Sequence, residues 1–142
     1  MTQPIIYPLI VMAFLTIIVA SVMYRRRVSY MKKNRIHPQK VQNRSDMLQQ
    51  MSDTRASDNY LNLFEAPVLF YVAVFTMLLT NTHSHLLVAL AWAFVIFRVA
   101  HSFIHCTYNK VMHRFTAFIL SCLVLFAMWV VIALNIIFQI KI

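Results

Sequence analysis

Four long apolar blocks dominate this chain, separated by polar stretches. Residues 5–23 carry no charge, 61–79 carry only Glu65, 86–104 carry Arg98 and His101, and 115–138 carry none. A bilayer core about 30 Å thick is crossed by roughly 20 apolar residues of helix. Each block therefore predicts one membrane-spanning helix, over residues 5–24, 59–80, 86–106 and 114–139. The expected class is all-α, an integral membrane four-helix bundle in one domain over 1–142. The first block does not read as a signal peptide. It lacks a basic segment ahead of it, it is long, and Arg25, Arg26 and Arg27 follow at once.

Between the blocks the signals are those of connections. The stretch before Pro38 is basic and polar, so residues 25–44 read as a basic cytoplasmic loop. No proline falls between Ser45 and Pro67. Ser45 reads as an N-cap with Asp46 in the first turn, and the second helix reads as one rod entering the membrane. Pro67 is expected to kink that rod or loosen its ladder. The short turn 81–85 makes the second and third helices an antiparallel hairpin.

Composition agrees with this picture. The chain of 142 residues is 61% hydrophobic and 12% charged, too little charge to cover a soluble domain. It contains no glycine and only four prolines, which favours long helices over tight turns.

The net charge of +9 would suit nucleic acid, but its placement argues otherwise. Arg25, Arg26, Arg27, Lys32, Lys33, Arg35, Lys40, Arg44 and Arg55 all lie between the first two blocks, and Lys110 and Arg114 lie between the last two. The turn 80–85 has neither lysine nor arginine. This positive-inside pattern puts both basic connections in the cytoplasm and both termini outside. Anionic lipid, not nucleic acid, is the expected partner of the charge. Cys106 and Cys122 are placed for packing, not for a disulfide.

Polar side chains inside membrane helices are costly and mark candidate sites. On the second helix Arg55, Asn59, Asn62 and Glu65 fall at offsets of four, three and three. On the third, Arg98, His101, His105 and Tyr108 fall at offsets of three, four and three. Each set occupies one helical face. Both stripes lie in the cytoplasmic half, with Glu65 on the order of 5–10 Å below the surface. They should therefore face protein. Glu65 and Arg98 are expected to be ion-paired, directly or across subunits. Two readings stay open. The stripes hold helices together by hydrogen bonds, or they line a pocket for a small polar ligand with several carboxylates and one amine. His101 and His105 at i, i+4 have metal-ligand spacing, but no third ligand is evident, and no metal is expected. His83 and His85 read as a solvated turn.

The segment Asn62-Leu-Phe-Glu65-Ala-Pro-Val-Leu-Phe-Tyr resembles the second-helix Asn-x-x-Glu motif of the MAPEG proteins, the membrane-associated proteins in eicosanoid and glutathione metabolism. Arg98-Val-Ala-His101-Ser-Phe-Ile-His105 resembles the third-helix motif of the family's microsomal prostaglandin E synthase branch. Arg114 stands at the separation from Arg98 expected of the arginine that opens the family's fourth helix. The resemblance implies a homotrimer of four-helix bundles with glutathione as co-substrate, bound between subunits near the cytoplasmic face. Asn62 and Glu65 match glutathione-contacting positions, and Arg98 and His101 match polar pocket positions. Arg114 matches the arginine proposed to stabilise the thiolate. Three positions depart from the family enzymes. Asp58 stands where an arginine is frequent, His105 where a tyrosine is usual, and Phe115 where several enzymes have serine. The pattern looks closer to a bacterial branch, which implies an inner-membrane location.

Two activities follow from the resemblance. One is a glutathione transferase or peroxidase acting on lipophilic substrates, with Arg114 as the catalytic residue. The other is a non-catalytic member of the same fold that binds a lipid or a protein partner. A small multidrug transporter would also have four helices and a membrane glutamate. That class relies on glycine for close helix approach, and this chain has none.

Overall fold

The computed structural model describes residues 4–51, 53–82 and 84–138, and for Arg44 the backbone alone. His83 and Gln139, part of the expected turn and of the fourth span, lie outside the described residues. Among these residues every regular element is helical: α1 (Ile6–Lys33), a 3₁₀ turn (Pro38–Val41), α2 (Arg44–Gln50), α3 (Arg55–Asn62), α4 (Ala66–Leu79), α5 (His85–Cys106) and α6 (Val111–Phe138). Four segments are long and apolar enough to cross a membrane, namely α1, α3 with α4, α5 and α6.

The basic residues 25–33 are not a loop. They continue α1 to Lys33, so its 28 residues reach about 42 Å, well beyond a bilayer core. Arginine and lysine are good helix formers. Nothing interrupts the ladder before Arg35, and Lys32 and Lys33 sit in the last turn, where cations complement the helix dipole. The helix then closes on a left-handed residue. Arg35 has φ 52°, and Ile36 N donates back to the carbonyl of Met31 at 3.0 Å.

The second helix is not one rod. The N-cap of α2 is Asn43, not Ser45, because Asp46 then falls three residues into the helix. There its carboxylate accepts from Asn43 N at 3.3 Å, completing a capping box. Three residues after Ser45 stands Leu48, which cannot accept a hydrogen bond. That helix ends at Gln50. A new one begins at Arg55, and a second break separates α3 from α4 at 63–65. The expected effect of Pro67 accounts for it. Pro67 has no N–H to give, and its ring excludes the carbonyl of Leu63. It sits in the first turn of α4, where proline is tolerated.

The bundle centres on α5, which packs against α1, α3 and α6, while α4 packs against α1 and α6. Its core joins Met12, Leu15 and Val19 of α1, Phe70, Val74 and Met77 of α4, Leu87, Phe94 and Val95 of α5, and Met128 and Ile132 of α6. Phe70 stacks on Phe94 at 4.6 Å between ring centroids. The buried face of α5 is apolar from Leu87 to Val95 and then continues as Arg98, His101, Ser102 and His105. One helical stripe thus changes from core to polar site along its length.

Opposite ends of the bundle are clearly distinguished. Arg26 donates to the carbonyl of Cys106 at 2.6 Å, and Arg55 donates to the carbonyl of Thr107. The end of α1, the start of α3 and the end of α5 therefore meet at one basic end. Pro4 and Ile5, just ahead of α1, lie with Thr82, Ser84 and His85 at the other, around a cavity of about 150 Å³.

Candidate functional site

The two sequence stripes meet at the basic end, but not all their members do so in the same way. Asn59 of α3 is fully buried. It accepts from Ser102 Oγ at 3.3 Å and donates to Cys106 Sγ at 3.4 Å, tying α3 to α5. Asn62 is half-buried at the end of α3, and its amide donates to Glu65 Oε2 at 2.9 Å across the break. Glu65 is exposed.

Arg98 is fully buried. Its Nη2 donates to the main-chain carbonyl of Asn62 at 2.9 Å. The guanidinium carbon lies 5.8 Å from the ring centre of Phe94 and 5.5 Å from that of Phe118, so aromatic faces supply part of its environment. The expected direct pairing of Glu65 with Arg98 does not form within the chain. The break before Pro67 turns Glu65 outward, and Arg98 donates to the carbonyl of Asn62, which the broken ladder leaves with only a long 3.4 Å bond from Glu65 N.

The third-helix stripe continues into α6. His101 Nδ1 donates to the carbonyl of Arg114 at 3.1 Å. Arg114 Nη1 donates to His105 Nε2 at 3.0 Å and to Asn109 Oδ1 at 2.8 Å. An accepting Nε2 puts the proton of His105 on Nδ1, and a donating Nδ1 leaves Nε2 of His101 as an acceptor. Only Nη1 of Arg114 is so engaged. Its Nε and Nη2 make no hydrogen bond to the described residues.

Two sequence candidates fall elsewhere. Arg55 points to the helix ends, pairing with Asp53 at 2.7 Å and with the carbonyl of Thr107. Tyr108 lies beyond α5, exposed, with its hydroxyl 3.3 Å from His113 Nδ1. Both sit at the rim of the site. Sequence reasoning missed Ser102, Asn109 and the Arg26–Asp53–Arg55 cluster. Ser102 was readable as part of the α5 stripe, whereas Asn109 and Asp53 are connection residues outside any helical periodicity, and Arg26 meets Asp53 across 27 positions of the chain. Asp53 is held below its ordinary carboxylate value, first by the hydrogen bond from Arg55.

The electrostatic character of the centre is set by what is left unpaired. Five buried side-chain polar atoms have no partner among the described residues: Asn62 Oδ1, Arg98 Nε and Nη1, His101 Nε2 and His105 Nδ1. All five belong to the two motifs. Each unpaired buried group costs about 1–3 kcal/mol, so their concentration marks a place where the chain alone is not self-sufficient. No three histidine, cysteine, aspartate or glutamate side chains converge as a metal site among the described residues.

Fold and site together define a multi-pass α-helical membrane protein with a polar centre at one end of its bundle. The MAPEG family model matches residues 5–134, nearly the whole chain, and the protein belongs to that family. No curated protein and no solved structure matches the chain.

Proposed function

We propose that the polar centre is a glutathione site, completed between subunits of a homotrimer at the cytoplasmic face, where the protein conjugates or reduces lipophilic substrates. The observation that carries this reading is that all five unpaired buried atoms lie on the residues of the two family motifs. Glutathione carries two carboxylates, an ammonium, two amides and a thiol, which matches a centre with unpaired donors and acceptors. The exposed carboxylate of Glu65 suits the ammonium. The free Nε and Nη2 of Arg114 suit a carboxylate or the thiolate, because a guanidinium beside a thiol favours its ionised form. Arg98 acts as a positioning residue, fixing the carbonyl of Asn62 and through it the break that presents Glu65.

The thiolate sulfur would bond to the β-carbon of an activated alkene dissolved in the bilayer, the π electrons moving onto the conjugated carbonyl and a proton from solvent replacing the one the thiol gave up. In the reducing reaction it would attack a hydroperoxide oxygen, the O–O bond breaking to release the alcohol, and a second glutathione would then yield the disulfide and water. In this topology both termini lie outside the cytoplasm, and the membrane is a bacterial inner membrane.

One observation favours the non-catalytic reading. Arg114 is already tethered by His105 and Asn109, an arrangement that also serves to pin α6 to α5. Titrating glutathione into the detergent-solubilised protein and following the ultraviolet thiolate band separates the two. A saturable band that is lost in Arg114→Ala supports the enzyme. Absence of a band, together with absence of calorimetric heat, moves the reading to a lipid- or partner-binding protein.

A further inference from the structure

Away from the polar centre, the basic end carries a second concave feature. A cleft of about 230 Å³ lies between α1, the 3₁₀ turn with α2, and α3. Met23, Val41, Met47, Tyr60 and Leu61 form its apolar walls, and Arg27, Gln42, Asn43 and Ser57 its polar part. Met23 stands next to the end of the uncharged stretch of α1 at Tyr24, and Arg27 follows one turn later. The cleft therefore straddles the boundary between the apolar and the charged parts of the bundle. Leu61, one of its walls, is 38% exposed and continues onto the outer surface of α3.

Arg27 distinguishes this cleft from a simple gap. Its Nε and Nη2 donate to a single neutral acceptor, Ser57 Oγ, at 3.3 and 3.1 Å. Arg26, the adjacent arginine, pairs with Asp53, but Arg27 has no carboxylate partner among the described residues. The nearest acidic residue in sequence to the α2 wall, Asp46, is occupied by the capping box at Asn43. The result is an arginine held in place by a hydroxyl, with no ion pair among the described residues, at the edge of a largely apolar cleft.

We infer that this cleft holds one anionic phospholipid of the leaflet at the basic end, its phosphate on Arg27 and the first part of an acyl chain along Met23, Tyr60 and Leu61. The charge fits a phosphodiester, and a guanidinium donates to phosphate oxygens in a directed, two-pronged manner. The apolar walls fit a chain and not a free anion. Occupancy would also fasten the α2 segment to the bundle, because Val41, Asn43 and Met47 form one side of the cleft. The inference does not rest on glutathione binding, which involves a different set of side chains.

The test uses the full chain in vesicles of equal phosphatidylglycerol and phosphatidylcholine, released for native mass spectrometry. One phosphatidylglycerol per chain is expected to be retained in preference to phosphatidylcholine. Arg27→Gln should lower that retention about five-fold, the equivalent of about 1 kcal/mol for one basic residue at an anionic surface. Arg27→Lys, which keeps the charge but loses the two-pronged donor, should fall between the natural protein and Arg27→Gln. Met47→Trp fills the cleft without changing charge and should displace the lipid, which keeps the test open if Arg27→Gln fails to fold. Lys33→Gln, at an exposed position of the same helix, should have no effect. Equal retention of the two lipids, retention unaltered by Arg27→Gln, or retention unaltered by Met47→Trp would each overturn the inference.

Discussion

Arg98 reaches from the middle of the bundle to the main-chain carbonyl of Asn62, 2.9 Å away, and thereby joins α5 to the break between α3 and α4. A proline and an arginine far apart in sequence thus cooperate. Pro67 disrupts the helical ladder, and Arg98 satisfies a carbonyl at the point of disruption. The same guanidinium keeps two nitrogens, Nε and Nη1, without a partner.

A buried arginine with unpaired donors contributes little net stability to the free protein. Arg98→Met keeps most of the volume and is expected to change stability by less than about 1 kcal/mol, in either direction. Arg98→Ala leaves a cavity and should cost about 2–4 kcal/mol. Thermal unfolding in detergent compares the two. A methionine variant as unstable as the alanine variant would show that the bond to Asn62 is a principal support of the fold.

Glu65 offers a cleaner functional probe, because it is exposed and makes no ion pair among the described residues. Glu65→Gln should leave the unfolding midpoint unchanged and, if the proposed glutathione site is right, weaken glutathione binding about tenfold, the scale of one charge-assisted hydrogen bond. Isothermal calorimetry checks it. Unchanged affinity in the folded variant removes Glu65 from the site.

The Asp53 cluster predicts a pH dependence at the basic end. The carboxyl of Asp53 lies below its ordinary value of 3.8, through the hydrogen bond from Arg55 first. A depressed carboxyl stabilises the folded state above its unfolded value, and that contribution is lost as pH falls through the folded value. Both partners are partly exposed, so the effect is about 0.5–1 kcal/mol. Asp53→Asn should be less stable than the natural protein at neutral pH, and the gap should begin to narrow near pH 4 and close once the pH is below the folded value. Unfolding midpoints taken across that range give the answer, and a gap independent of pH would assign the loss to packing.

Asn59 and Ser102 should be energetically coupled. Ser102→Ala leaves the buried Asn59 Oδ1 without its 3.3 Å donor and should cost about 1–3 kcal/mol. Adding Ser102→Ala to Asn59→Ala should cost much less than the sum, with a coupling of about 1 kcal/mol in a double-mutant cycle. Strict additivity would mean that the two side chains are neighbours without a working hydrogen bond.

In a chain without glycine, left-handed backbone among the described residues falls to Arg35, Asn81 and Asn109, at φ 52°, 48° and 50°. An L-residue in this region costs about 1–2 kcal/mol that glycine does not. Arg35→Gly should therefore stabilise the protein by about 0.5–1 kcal/mol after the added freedom of the unfolded chain is offset. A lower unfolding midpoint would show that the Arg35 side chain has a role of its own.

The sequence by itself determined the four membrane spans, because block length and hydropathy answer directly to bilayer thickness. It also determined that Arg98, His101 and His105 share one face of α5, because helical periodicity is a local property. It located the disturbance at Pro67, since a missing N–H acts within one turn. Tertiary structure decided who meets whom. Glu65 and Arg98 lie at similar depth on neighbouring helices, yet the break turns one outward while the other binds a backbone carbonyl. Arg26 finds the carbonyl of Cys106 eighty residues away, and Arg114 finds His105 and Asn109 through the turn between α5 and α6. The basic stretch that reads as a loop is helix because packing and capping, not charge, end α1. Periodicity assigns side chains to faces, but the partner on the other side depends on how helices cross and where their ladders open.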